Sequence, residues 1–97
     1  MSIYKKIILA AALGNSEAMF FLSVSYFNGT LPDTQPLETA INWMKKAADA
    51  GNRTALHTLG DWYSQGNDKP PYFDVNYSKG FQYYQKATQV YSFYTFL

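Results

Sequence analysis

At 97 residues the chain has room for one domain with a modest core. It is 47% hydrophobic, 19% aromatic and 15% charged, a balance that excludes a disordered segment and leaves more apolar surface than so small a domain can hide. A net charge of +1 selects neither nucleic acid nor an acidic membrane surface, the lack of cysteine excludes disulfides and thiolate metal sites, and no apolar run reaches the ~18 residues of a membrane span.

The first helix is expected over residues 2–13. Lys5-Lys6 followed by the apolar run Ile7 to Leu13 also has the layout of a short signal peptide, with Ala10 and Ala12 as a small-x-small cleavage site. The run is at the short end for a signal, so a helix of the fold is favoured. A cytoplasmic location is favoured with it, export or a periplasmic location being the alternative if residues 1–12 are a signal peptide. The second helix is expected over 16–27, capped by Asn15 or Ser16. Asn28 to Asp33 is rich in turn formers and reads as a loop.

A third helix follows over 35–50, with Pro36 in its first turn, where no amide donor is needed. Ala40, Trp43 and Ala47 share one face of it and are its expected core positions. Gly51 stops it, because glycine takes the left-handed C′ conformation without a Cβ clash. The fourth helix is expected over 52–65, ending at Gly66. A loop from Asn67 to Val75 contains Pro70-Pro71, and a fifth helix runs from the N-cap Asn76 to Val90 or beyond. The aromatic tail Tyr91 to Leu97 is expected to cap the open end, the alternative being a surface for self-association as a homodimer.

The chain repeats itself. Gly14-Asn15-x-x-Ala18 recurs as Gly51-Asn52-x-x-Ala55 at an offset of 37. Under that offset Leu22 matches Leu59, Tyr26 matches Tyr63, Gly29 matches Gly66 and Ala10-Ala11 matches Ala47-Ala48. The following helix repeats at an offset of 40, matching Ala40 with Gly80, Trp43 with Tyr83, Lys46 with Lys86 and Ala47 with Ala87. The three extra residues fall in the Pro70-Pro71 loop, where an insertion costs little. Ala18, Leu22 and Tyr26, like Ala55, Leu59 and Tyr63, form an apolar stripe that one hairpin cannot bury and that stacking on the next hairpin covers.

These residues carry a resemblance. Ala18-x-x-x-Leu22-x-x-x-Tyr26-x-x-Gly29 followed by Ala40-x-x-Trp43-x-x-Lys46-Ala47-Ala48-x-x-Gly51, with a second copy from Ala55 to Ala87, resembles the Sel-one-like repeat, a relative of the tetratricopeptide repeat. The resemblance implies an all-α fold, a right-handed α/α superhelix (solenoid) of about five antiparallel helices forming one domain. Its parts are a half repeat at 2–13, repeat one at 14–50, repeat two at 51–90 and an aromatic cap at 91–97. It further implies an adaptor that binds proteins, peptides or in some members glycans on its concave side, and some bacterial members neutralise toxins. Three departures stand out: Ser23 at the family's second glycine, Pro36 where an acidic N-cap is usual, and Tyr91 in place of a final glycine.

Little in the sequence points to chemistry, and neither an enzyme nor a cofactor is expected. His57 and Asp61 are placed i, i+4 on one helix, but there is no second histidine and no third ligand, so a surface pair is expected. Ser64 lies seven residues from His57 on the same helix, roughly 10 Å along its axis and too far for a Ser–His contact. Asn28-Gly29-Thr30, Asn52-Arg53-Thr54 and Asn76-Tyr77-Ser78 match glycosylation sequons but sit at helix boundaries, where the same residues serve as caps and turns. The candidate binding residues come from the stripe beside the buried one, Glu17, Phe21, Ser25 and Asn28 on the second helix and Thr54, Thr58, Trp62 and Gln65 on the fourth. The resemblance places that stripe in the concave groove. Phe21 and Trp62 are its expected anchors, oriented by Glu17, Ser25, Thr58 and Gln65 for a protein or peptide partner. The alternative is that both aromatics pack against adjacent repeats.

Overall fold

A computed structural model describes residues 2–67 and 73–96, the last seven of these by their backbone alone. Five helices follow in order: α1 (Ile3–Ala12), α2 (Ser16–Phe27), α3 (Pro36–Asp49), α4 (Arg53–Gln65) and α5 (Tyr77–Phe96). Their bounds lie within a residue or two of those expected, except that α5 continues well past Val90. The backbone of 91–96 therefore extends the helix. The side chains of the aromatic tail, on which the cap and the homodimer expectations turn, lie outside the described residues, as do Pro70 and Pro71.

The repeated Gly-Asn dipeptide is the joint between repeats. Gly14 and Gly51 have φ of +97° and +88°, a region that only glycine occupies cheaply. That turn lets Gly14 N–H reach the Ala11 carbonyl at 3.0 Å and Asn15 N–H the Ala10 carbonyl at 3.0 Å. Gly51 and Asn52 do the same to Ala48 and Ala47 at 2.9 Å each. This is the paired closure of a Schellman motif. Each asparagine then begins the next helix, its side chain accepting from Ala18 N–H or Ala55 N–H at 2.9 Å. Two residues thus end one helix and cap the next, which makes every joint alike. Of the other sequon asparagines, Asn76 caps α5 in the same way through Lys79 N–H at 3.0 Å, whereas Asn28 accepts from Thr30 N–H at 3.0 Å in the turn after α2.

The helices pack as two hairpins, α2 with α3 and α4 with α5. The hairpins join through α3 against α4, and α1 lies on α2. The result is a slab of 39 × 38 × 15 Å. Leu22 and Leu59 are fully buried, and one cluster of Met44, Ala47, Ala48, Ala55, Leu56, Leu59 and Ala87 spans the joint. Trp43, expected in the core, is only half-buried, and Met44 takes its place. The reason is that α3 has a neighbour on each side, so its buried arc is centred between the two. Trp43 falls at the margin, with the Lys46 ammonium 4.7 Å from its ring.

The departures noted in the sequence have physical explanations. Ser23 is buried, and its hydroxyl donates to the Ala40 carbonyl at 2.6 Å across the first hairpin. In the second hairpin the matching residue is Gly60, where a Cβ would stand 2.7 Å from the Tyr84 ring. Gly80, matching Ala40, lies so close to α4 that a Cβ would stand 3.1 Å from both the Gly60 carbonyl oxygen and the Ser64 nitrogen. The second hairpin is therefore built on glycine contact, and the first on a serine bond.

At the start of α3, Gln35 makes no capping bond. Its role passes upstream to Asp33, which accepts from the Thr39 hydroxyl, and from Gln35 N–H and the Thr34 hydroxyl at 3.4 Å each. The Thr39 bond, chiefly, holds the Asp33 carboxyl below its ordinary 3.8. A lowered carboxylate contributes stability above its unfolded-state value that is lost as pH falls through the folded one. Thermal midpoints between about pH 5 and about pH 2 are therefore expected to fall less for Asp33→Asn than for the wild type, because the variant has no charge to lose there.

Candidate functional site

The first helices of the two hairpins, α2 and α4, run side by side and parallel. At one end the Asn52 amide donates to the Ser16 carbonyl at 3.5 Å, and at the other the Phe27 and Trp62 rings meet edge to face at 5.4 Å. Their shared outer wall is the candidate site.

On α2 the exposed stripe is Glu17, Phe21, Val24 and Asn28. Phe21 is 47% exposed, and its ring lies 6.4 Å from that of Tyr4, which brings α1 to the edge of the wall. Ser25 does not belong to this wall. It is 3% exposed, and its hydroxyl donates to the Phe21 carbonyl within the helix at 2.9 Å. Spacing by four explains the difference. Each such step overshoots a full turn by about 40°, so from Glu17 the second step, to Ser25, has drifted about 80° toward the core. Val24, seven residues on, is only about 20° off the starting line. Reading at 3.6 residues per turn finds Val24, which spacing by four misses.

The same rotation acts on α4. Thr54 and Gln65 are exposed and Thr58 partly so, and Asp61 takes the place on the stripe expected for Trp62. The Trp62 ring instead packs between Phe27 and Phe73, at 5.4 and 5.0 Å, and joins the core. Phe73 is brought there by the loop before α5. That loop pairs Asn67 N–H with the Phe73 carbonyl at 2.8 Å and is tied to α4 by Asn76 N–H on the Tyr63 carbonyl at 2.8 Å. Trp62 therefore lies on the packing side of the wall. Thr58 donates its hydroxyl to the Thr54 carbonyl at 2.8 Å, which leaves its oxygen turned out as an acceptor.

His57 and Asp61 meet as expected, Nδ1 to Oδ2 at 3.6 Å, on the surface of α4. The Tyr84 hydroxyl donates to the same carboxylate, and this bond raises the phenol above its ordinary 10.0. Among the described residues no further histidine, aspartate or glutamate joins them as a metal-binding group. The arrangement is an exposed histidine–aspartate pair whose carboxylate is held by the hydrogen bond from Tyr84.

The wall that results has one large exposed aromatic, an apolar neighbour in Val24, and polar groups at both ends. Comparison with known families matches the Sel1 repeat model to residues 16–52 and 54–89, one helical hairpin each. Neither the curated proteins nor the solved structures yield a match.

Proposed function

We propose that this chain, which belongs to the Sel1 repeat family, is a binding scaffold that holds a protein or peptide segment along the α2–α4 wall. Sel1 repeats are generally protein–protein interaction modules, and the family is a non-catalytic scaffold repeat. The observation that supports the reading is Phe21. Half of a large aromatic side chain stands in water, beside a fold that partly buries comparable rings at Trp62 and Tyr63. Aromatic anchors ringed by polar groups carry a large share of binding energy, because a partner that covers them removes apolar area while the rim keeps its hydrogen bonds.

In this reading Phe21 and Val24 take an apolar side chain of the partner. Glu17 favours a cationic or amide group at one end, and Thr58 and Gln65 offer hydrogen bonds from α4. Trp62 acts by holding the wall in place, and Ser25 takes no direct part. With a net charge of +1 the chain gives no electrostatic reason for a nucleic-acid partner. No described helix is long and apolar enough to cross a membrane.

Peptides selected from a displayed random library against the full chain test the proposal. Phe21→Ala is expected to weaken the selected peptides by about tenfold or more, about 1.4 kcal/mol, with an unchanged thermal midpoint. Full affinity in the Phe21→Ala protein would remove the wall as the site.

A further inference from the structure

The outward face of the second hairpin lies apart from that wall and has a different character. In the first hairpin the α3 stripe Leu37, Ile41, Met44 and Ala48 faces the next repeat, and Met44 and Ala48 are sealed in the cluster with Ala55, Leu56 and Leu59 of α4. The offset of 40 carries that stripe to Tyr77, Phe81, Tyr84 and Thr88 of α5. There Tyr77 is 73% and Phe81 64% exposed. The residues that seal the first hairpin, Phe20, Met44 and Ala48, are replaced at the matching positions by His57, Tyr84 and Thr88. A further repeat stacked here would meet polar atoms where the first hairpin presents carbon.

The two ends of this face differ. Helix α4 runs antiparallel to α5, with Gly60 against Tyr84 and Gly80 against Ser64. His57 is therefore level with Ala87, and Arg53 lies about one turn further out. At that end a cavity of about 260 Å³ is lined by Arg53, His57, Tyr84, Ala87 and Thr88. Ala87 is buried beneath it, and the His57 and Tyr84 rings stand edge to face at 5.3 Å. The other end carries the two exposed aromatics.

We propose that this face pairs with the same face of a second copy of the chain, the two α5 helices lying antiparallel about a two-fold axis that crosses α5 at Tyr84. At a rise of about 1.5 Å per residue, Phe81 lies about 4.5 Å to one side of that axis and Ala87 about 4.5 Å to the other. The rotation thus carries Phe81 of each copy over the cavity of its partner, whose walls are an aromatic ring and an imidazole. Tyr77, about 10 Å from the axis, is carried to the level of Arg53, where a guanidinium meets an aromatic face. A two-fold interface requires a patch that supplies with one half what it accepts with the other, and this face does so. Two of its polar groups are already bonded within the chain, the Tyr84 hydroxyl to Asp61 and the Thr88 hydroxyl to the Tyr84 carbonyl at 3.0 Å, so covering those two orphans neither donor.

The contact spans about three helical turns, at the small end for a stable interface, so a weak, concentration-dependent dimer is expected. Sedimentation velocity of the full chain, from about 5 to about 500 μM, reads it. The wild type is expected to pass from monomer to dimer over this range. Phe81→Glu, at an exposed position, is expected to keep the wild-type far-UV circular dichroism, to keep peptide binding at Phe21 and to weaken the dimer by about tenfold or more. Leu9→Glu, on the exposed side of α1 at the opposite end, is expected to leave the dimer unchanged. Mixing Phe81→Glu protein with Thr88→Arg protein is expected to restore a mixed dimer, since the two changes face each other across the axis. A chain that stays monomeric at the highest concentration overturns the proposal. So does a dimer that survives Phe81→Glu, or one that Leu9→Glu abolishes, which would place the contact head to tail through α1.

Discussion

Leu59→Ala is expected to lower the stability of this protein by about 3 kcal/mol. Leu59 is fully buried at the joint between the hairpins, in the cluster that holds Met44 and Ala47 of α3 and Ala87 of α5, with Trp62, Tyr63 and Tyr83 packed around it. The cost of such a truncation is the lost transfer energy plus that of the cavity left behind, and the second part depends on whether the neighbours can close in. Here they cannot easily do so. The α4–α5 spacing is already set by backbone contact at Gly80, and the aromatic rings beyond are held by each other, Tyr63 stacked on Tyr83 at 5.7 Å and edge-on to Phe73 at 5.2 Å. For a domain of this size the loss is a large fraction of the typical ~5–15 kcal/mol. Urea unfolding reads it as a lower midpoint at an unchanged slope. A loss under about 1 kcal/mol would show that the joint can collapse and that the hairpins are less tightly coupled than their packing implies.

Gly80→Val is expected to cost about 3 kcal/mol, by the opposite mechanism. A Cβ at this position meets Ser64 Oγ, which can rotate away, but also the Gly60 carbonyl oxygen and the Ser64 nitrogen at 3.1 Å, which cannot. Valine adds two methyl groups to that contact, so the helices must part. Their separation then opens the face that buries Ala87. Valine's higher helix propensity than glycine offsets only a few tenths of a kcal/mol. Gly80→Ala is the informative comparison. Its single methyl group meets the same backbone atoms, while the gain in propensity is about 1 kcal/mol, so a change much smaller than valine's is expected in the same unfolding measurement. If valine is tolerated as well as alanine, the close approach of α4 and α5 is not what sets their spacing.

Much of this molecule was legible without coordinates because its rules are local. The Gly-Asn joints act within a window of about six residues, through left-handed glycine geometry and an asparagine cap, and they mark four helix boundaries in any context. The matches at 37 and 40 residues tie two hairpins to one pattern. Leu22 and Leu59 lie at the same point of that pattern and are both fully buried.

What sequence alone determined, then, is the number of helices, their ends, the repeat and the deepest core positions, all of which depend on backbone chemistry and helical period. The tertiary structure decided how wide each buried arc is and where it is centred. A rotation of about 100° per residue gives the angle of every side chain about its own axis, but not the direction from which neighbouring helices approach or how closely. Hence Ser25 turned inward and Val24 outward, Met44 displaced Trp43 from the core, Trp62 went to the packing side, and Asp33 took over the duty that Gln35 leaves undone. The glycine contact between α4 and α5 and the uncovered aromatic stripe at Tyr77 and Phe81 arise in the same way, from which surfaces the packed helices leave to each other and which they leave to water.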